Sequence, residues 1–408
     1  MKTRPLVSSV AFVLLTVGTV VACGSSASDR TFGDPDKKDD KGPPPTPGLG
    51  GGDSSVLMVP VNVTGTVFAP NGTLPLSNAL VYLASELPAP IPDGVYCDTC
   101  VKLQDGTFAT SGADGTFTIS TTMPKGKVYV ITQKGQFRRV REVNITAEGT
   151  VAIPNADTTL PGKSDPKNND DIPNMVVLKD DADFDPVDES LNKLGITGFD
   201  IKNDRALLQN DVNLDKYHIV FIPCGNSTDD NMTDAKSQAN LQNYVAKGGK
   251  LYVTDWSYEF VRQPFPGWFN WAQETAEVGS AATGDEWDAD ATATDQGLAD
   301  WLAATGDPTF KVEGNWTTIT SVNTNTGKDP QGNDIDITPK VWVMGDKAGQ
   351  PTPTTVSFEN QCGRVLFSSY HTENSKFGSG SGLSAQEKAL LYVLLEVGVC
   401  VGDRPTEK

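Results

Sequence analysis

Residues 216–262, running from KYHIVFIPCGN through TDAKSQANLQNYVAKGG to KLYVTDWSYEFVR, constrain this chain more than any other stretch. Residues 218–223 form a short apolar run, as a strand in a sheet covered on both faces requires. Asp234 is placed to cap a helix on which Leu241, Tyr244 and Val245 share one face. Gly248 and Gly249 end that helix where a positive φ costs little. Residues 250–254 supply the next buried strand. Strand, crossover helix and strand make a right-handed parallel unit. Ligands of such sheets collect at the carboxyl ends of the strands. Cys224 ends the first strand and Asp255 the second, so both are candidate site residues.

The rest of 172–402 fits around this unit. Residues 174–179 read as a buried strand, and 186–194 as a helix with Val187, Leu191 and Leu194 on one face. A short strand is expected at 199–201, and late strands at 341–344, 355–358 and 364–368. Ser384 and Glu387 form a capping box that opens a last helix, 385–399. Residues 265–301 read as an irregular, Trp-rich section. This alternation predicts a flavodoxin-like α/β domain with a mostly parallel sheet, ending in a tail at 403–408. Upstream, 56–156 shows short alternating runs separated by turns and no helical period, which predicts an antiparallel β-sandwich. The fold class is therefore multidomain, a sandwich followed by an α/β domain. Residues 157–171 have the Pro, Gly and polar content of a linker.

At the start of the chain, Lys2 and Arg4 precede an apolar run at 10–21 that is short for a membrane span. Residues 1–22 read as an export signal. The sequence Val20-Val21-Ala22-Cys23-Gly24 resembles the bacterial lipoprotein box, which implies cleavage before Cys23 and its acylation. An ordinary signal with a chance cysteine is the plainer reading. Within the resemblance, Gly24 after the cysteine implies the outer membrane, so the expected localisation is the cell envelope. Residues 23–55, rich in Asp, Lys, Pro and Gly, form a tether too polar to bury a core. The net charge of −19 and the lack of a basic stripe argue against a nucleic-acid partner.

Beyond Cys23 the cysteines are Cys97, Cys100, Cys224, Cys362 and Cys400. Cys97 and Cys100 have the spacing of half a zinc site without its other half, so a local disulfide is expected, with a redox dithiol as a further reading. Cys362 precedes the last strand and Cys400 closes the helix after it. A helix returning antiparallel would bring these ends together, which predicts the pair Cys362–Cys400. Cys224 remains as the odd thiol.

Two resemblances extend this reading. VTGTVFAPNGTLPLSNALVYL with ADGTFTI resembles the carboxypeptidase regulatory-like, or prealbumin-like, domain, which implies a non-catalytic accessory module. Against that pattern, 87–104 is an insertion. DKYHIVFIPCGN, LQNYVAKGGKLYVTD and GRVLFSSYHTENS are similar to the class I glutamine-amidotransferase-like superfamily, in its trehalose-utilisation-type branch. The nucleophile elbow of that superfamily falls at Thr254-Asp255-Trp256-Ser257, where this chain has no cysteine. The resemblance therefore implies the fold without the inherited hydrolase chemistry.

Candidate catalytic residues are Cys224 as nucleophile with His371 and Asp255, since a thiol needs a base and an orienter. Against this, Cys224 is equally a small buried residue and His371 a structural histidine. Candidate binding residues are Asp180, Asp181, Trp256 and Glu373, at or near the ligand edge. Aromatics beside acids suit sugar rings, and they equally suit a lid packed on the sheet. The acidic runs at 180–185 and 285–290 lack the EF-hand spacing, so no metal and no cofactor are assigned. The leading reading is a lipid-anchored, non-catalytic binding or scaffold module for carbohydrate or an envelope partner. The rival is a thiol hydrolase or amidase.

Overall fold

A computed structural model describes residues 57–98, 102–179, 184–202, 206–225, 232–372 and 382–395. The expected signal, tether and tail lie outside the described residues, as do Cys23, Cys100 and Cys400.

The first part contains β1 (Met58–Thr66), β2 (Leu80–Ala84), β3 (Phe108–Thr110), β4 (Thr116–Pro124), β5 (Gly126–Lys134), β6 (Phe137–Ile145), β7 (Gly149–Ala152), the single turn α1 (Asn155–Thr158) and β8 (Asp170–Asp171). Alternation sets the faces: Val59, Val61 and Val63 of β1 are buried while Met58, Pro60 and Asn62 face out. Three strands in the order β4-β1-β7 form one sheet, and five in the order β3-β2-β5-β6-β8 form the other. One pair departs from the expected antiparallel pattern, because β7 runs parallel to β1.

The segment 157–171, expected as a linker, is built into this part. Strand β8 pairs with β6. Arg138 donates to Asp171 at 2.6 Å and Arg139 to Asp170 at 2.8 Å, on largely buried side chains. These ion pairs tie β8 to β6.

The second part begins with β9 (Met175–Leu178), α2 (Val187–Lys193), β10 (Asp200–Lys202), α3 (Asp211–Leu214), β11 (Ile219–Ile222), α4 (Ala235–Ala246), β12 (Lys250–Thr254) and α5 (Glu259–Arg262). It continues with β13 (Phe269–Trp271), β14 (Ala282–Ala293), α6 (Gln296–Ala304), β15 (Phe310–Thr317), β16 (Ile319–Val322), β17 (Asn325–Lys328) and β18 (Asp334–Ile337). It ends with β19 (Lys340–Lys347), β20 (Gln350–Asn360), β21 (Gly363–Ser368) and α7 (Ala385–Leu395). The organising unit forms as expected: Asp234 caps α4 by accepting from Lys236 N and Ser237 N, and β11 and β12 pair in parallel.

The central sheet has nine strands in the order β10-β9-β11-β12-β21-β20-β19-β14-β15. Strands β10 through β21 in that order are parallel, and every pair from β21 onward is antiparallel. The expectation of a mostly parallel sheet is therefore corrected to a mixed one. The section 265–301, expected to be irregular, supplies the 12-residue β14. Its acidic run lies along that strand, with Ala289 buried between the exposed Asp288 and Asp290. Asp is depleted in strands, which is why the run reads as a loop.

Strands β9, β11, β12 and β21 are largely buried on both faces, and their alternate residues enter different cores. Met175, Val177, Ile219, Phe221, Tyr252 and Leu366 join α2, α6, α7 and the sandwich residues in one cluster. Val176, Val220, Ile222, Leu251, Val253, Val365 and Phe367 join α4 and the aromatic segment after β12 in the other. Trp268 stacks on Phe358 with centroids 4.2 Å apart, so most of that aromatic segment is core.

The segment 87–98, part of the expected insertion, reaches across to the amino ends of the parallel strands. Cys97 is bonded to Cys362, with Cα atoms 4.9 Å apart, in place of the expected Cys97–Cys100 and Cys362–Cys400 pairs. The reason is docking: Val95 N donates to Asp215 O, His218 bonds Pro92 O, and Lys250 reaches Asp98. These contacts carry Cys97 to the turn before β21. The backbone of Tyr96 passes so close to Gly248 (φ 114°) that a Cβ there would lie 2.0 Å from its carbonyl oxygen. Glycine is thus needed at 248 for the helix end and for the docked loop alike.

Candidate functional site

The carboxyl ends of β9, β11, β12 and β21 lie on one side of the sheet, and a buried polar cluster sits there. Cys224 follows β11. Its backbone N–H donates to Thr254 Oγ1 at 2.8 Å, and its carbonyl accepts from Phe184 N at 3.0 Å. Asp255 follows β12 at the turn into a 3-10 helix, with φ of 42°. A left-handed conformation at a non-glycine residue is costly and marks positions held by their surroundings. Here the holding groups come from β15: Asp255 Oδ1 accepts from Trp316 N at 2.9 Å and from Thr317 Oγ1 at 3.0 Å. His371 follows β21, and its carbonyl accepts from Gln386 Nε2 of α7.

The three expected catalytic residues converge. One donor atom from each of Cys224, Asp255 and His371 lies within 4.8 Å of the others. Their order differs from that of a nucleophile, base and orienter. The Cys224 thiol donates to Asp255 Oδ2 at 3.8 Å, and His371 Nε2 lies 3.3 Å from that same oxygen. The carboxylate therefore stands between thiol and imidazole. His371 Nε2 is buried and makes no aligned hydrogen bond to that oxygen, so the contact is an ion pair only when the imidazole is protonated.

Asp185, from the acidic run after β9, completes the cluster. Its Oδ1 accepts from Thr372 N at 2.8 Å, and its Oδ2 from Thr254 Oγ1 at 2.7 Å and Thr372 Oγ1 at 3.1 Å. Burial pushes its pKa up to about 6, against the pull of His371 and these donors. Burial likewise raises Asp255 above the ordinary carboxylate range, against His371 and the β15 donors. Burial draws the His371 imidazole down, but Asp255 and Asp185 outweigh it and its pKa ends above the ordinary value.

Cys224 and Asp255 are sealed, at 1% and 0% exposure, and His371 is the edge that reaches outward, with 12% of its side chain exposed. Trp256 lies beside this edge, edge-on to Trp316 at 5.2 Å and to the half-exposed Phe184 at 6.2 Å. Its indole N–H is buried with no acceptor among the described residues. Asp180, Asp181 and Glu373 lie outside the described residues. Trp316 and Thr317 carry no local signal, because they reach the site from β15, about sixty residues downstream of Asp255. Asp185 carried a signal, being the last acid of the run after the first parallel strand.

No family model matches the chain, and no curated protein matches it. Among solved structures it is similar to a ThuA-like protein from Bacteroides uniformis, with 12% identity, a TM-score of 0.37, and coverage of 55% of this chain and 91% of that one. PurLQS from Thermotoga maritima matches with 13% identity, a TM-score of 0.32, and coverage of 55% and 100%. Gan42B, a GH42 β-galactosidase, matches with 13% identity and a TM-score of 0.31, and this chain spans only 30% of its length. At such identities and scores, the chemistry of the site has to be read from its own residues.

Proposed function

We propose that this chain is an exported lipoprotein, acylated at Cys23 and held at the outer membrane, that serves as a non-catalytic binding or scaffold module. The observation that carries the non-catalytic reading is the order of the buried cluster. A thiol whose proton goes to a carboxylate is not prepared for attack, because ionising it would set two anions side by side. The imidazole that should take the thiol proton is paired with Asp255 instead. Asp255 also occupies the strained turn where a nucleophile would be displayed, and it is fully buried. For the bound partner, the Phe184–Trp256–Trp316 edge favours carbohydrate. It offers partly exposed aromatic surface on which the apolar face of a sugar ring can pack.

A second reading, a thiol hydrolase using Cys224, His371 and Asp255, draws on the convergence of those three residues. Alkylation of the folded, chelator-treated protein separates the two. The binding reading expects Cys224 to react much more slowly than a free cysteine at neutral pH, with or without His371→Ala. Fast alkylation that depends on His371 would establish the hydrolase instead. The anchor is tested separately: Cys23→Ala should move the protein from the detergent phase to the aqueous phase, and unchanged partitioning would remove the lipoprotein reading.

A further inference from the structure

We propose that Cys224, Asp255 and His371 form a binding site for a thiophilic divalent cation of the zinc class. A thiolate, a carboxylate and an imidazole are the donor types such an ion takes. With metal–sulfur and metal–nitrogen or –oxygen bonds of usual length, tetrahedral donors stand roughly 3.3 Å apart for N and O and roughly 3.5 Å apart for pairs with sulfur. The separation of His371 Nε2 from Asp255 Oδ2 is 3.3 Å, and that of Cys224 Sγ from Oδ2 is 3.8 Å. The third edge, between thiol and imidazole, is within 4.8 Å.

Support around the donors points the same way. Oδ1 of Asp255 is occupied by Trp316 N and Thr317 Oγ1, which leaves Oδ2 turned toward the thiol and the imidazole. A ligating carboxylate is ordinarily held in this manner by outer hydrogen bonds. Nε2 of His371 is buried and lacks an aligned hydrogen-bond partner, so a lone pair directed at a cation would satisfy it. The cluster also stands on strand ends rather than on long loops, which fixes it before binding. On coordination the Cys224 S–H proton leaves to solvent and sulfur binds as thiolate. An imidazolium likewise gives up its Nε2 proton. One thiolate and one carboxylate then balance the charge of a divalent ion. Calcium and magnesium are disfavoured, since both take oxygen donors. This inference stands apart from the non-catalytic reading: a cation here gives the buried carboxylate a role without making the thiol a nucleophile.

The test is a titration of the chelator-treated mature protein, disulfide intact, with cobalt(II) as a spectroscopic stand-in and zinc as competitor. The expected result is saturation at one ion per chain, with a thiolate-to-cobalt charge-transfer band in the near ultraviolet that zinc abolishes. Cys224→Ser should lose that band, and His371→Ala should weaken binding by more than about 100-fold. His371 lies at the outer edge, so this variant keeps a fold that circular dichroism can check. Failure to saturate at one ion would overturn the proposal. So would a band that survives in Cys224→Ser, because its sulfur would then belong to another cysteine.

Discussion

His218 admits one tautomer. Its Nδ1 accepts the backbone N–H of Asn174 at 2.8 Å, so Nε2 must carry the proton that goes to Pro92 O at 2.9 Å. A second proton would set N–H against N–H. Burial lowers its pKa, and Lys250 adds to that, against the Pro92 carbonyl and the carboxylates of Asp98 and Asp93. Tyr96 meets the ring edge-on. With the folded value depressed, the stability due to neutral His218 is fully present above the ordinary value of about 6.5 and is lost as pH falls through the folded value. Comparing denaturant unfolding of the wild type and His218→Asn cancels the opposite contribution of Asp185, which both retain. The wild-type advantage should shrink as pH drops from 7.5 to 5. An advantage that grows in acid would contradict the tautomer. The same scale shows what a sequence can reveal about a site. Cys224, Asp255 and His371 were readable because each ends a parallel strand. Their order was not, since it depends on the β15 donors that turn Asp255 between the other two.

Among the elements, those with local signals formed where their residues predicted. Ser384 N donates to Glu387 Oε2 at 2.6 Å and Glu387 N to Ser384 Oγ at 3.2 Å, the reciprocal bonds of a capping box at the start of α7. Glu387 also accepts from Ser190 at 2.7 Å and from Lys193 at 3.1 Å, which ties α7 to α2. Ser384→Ala should therefore cost about 1 kcal/mol. Glu387→Ala should cost distinctly more, because it also strands the buried Ser190 hydroxyl and removes the contact with Lys193. Equal costs in a urea titration would mean that the α2 contacts contribute nothing. Elements specified by distant partners carry no such local signal. The two-residue β8 is held by arginines from β6, and its residues alone have the composition of a linker. Strand β14 carries acids outward and small alanines inward, a pattern that local propensity assigns to a loop.

At the scale of the whole molecule, the sandwich and the α/β part share one core. Val59, Phe117 and Ile153 belong to the same apolar cluster as Met175, Trp301 and Leu391. Trp301 Nε1 donates to Pro75 O at 2.7 Å and Asn78 Nδ2 to Tyr392 at 3.3 Å, so helices α6 and α7 rest on the first part. At the far end of the sheet the Cys97–Cys362 bridge closes a sequence separation of 265 residues. Cross-linking so large a loop restricts the unfolded chain strongly, by up to about 5 kcal/mol in the chain-entropy account. Two consequences follow from a shared core with a long-range staple. Calorimetry of the oxidised protein should give one unfolding transition, because neither part can open without exposing apolar surface of the other. The double variant Cys97→Ser/Cys362→Ser should unfold several degrees lower, still in one transition, because the apolar cluster and the Trp301 and Asn78 contacts do not depend on sulfur. If the variant instead splits into two transitions, the bridge rather than the core is what couples the two parts. If its midpoint is unchanged, the bridge restricts the unfolded chain far less than the chain-entropy account requires.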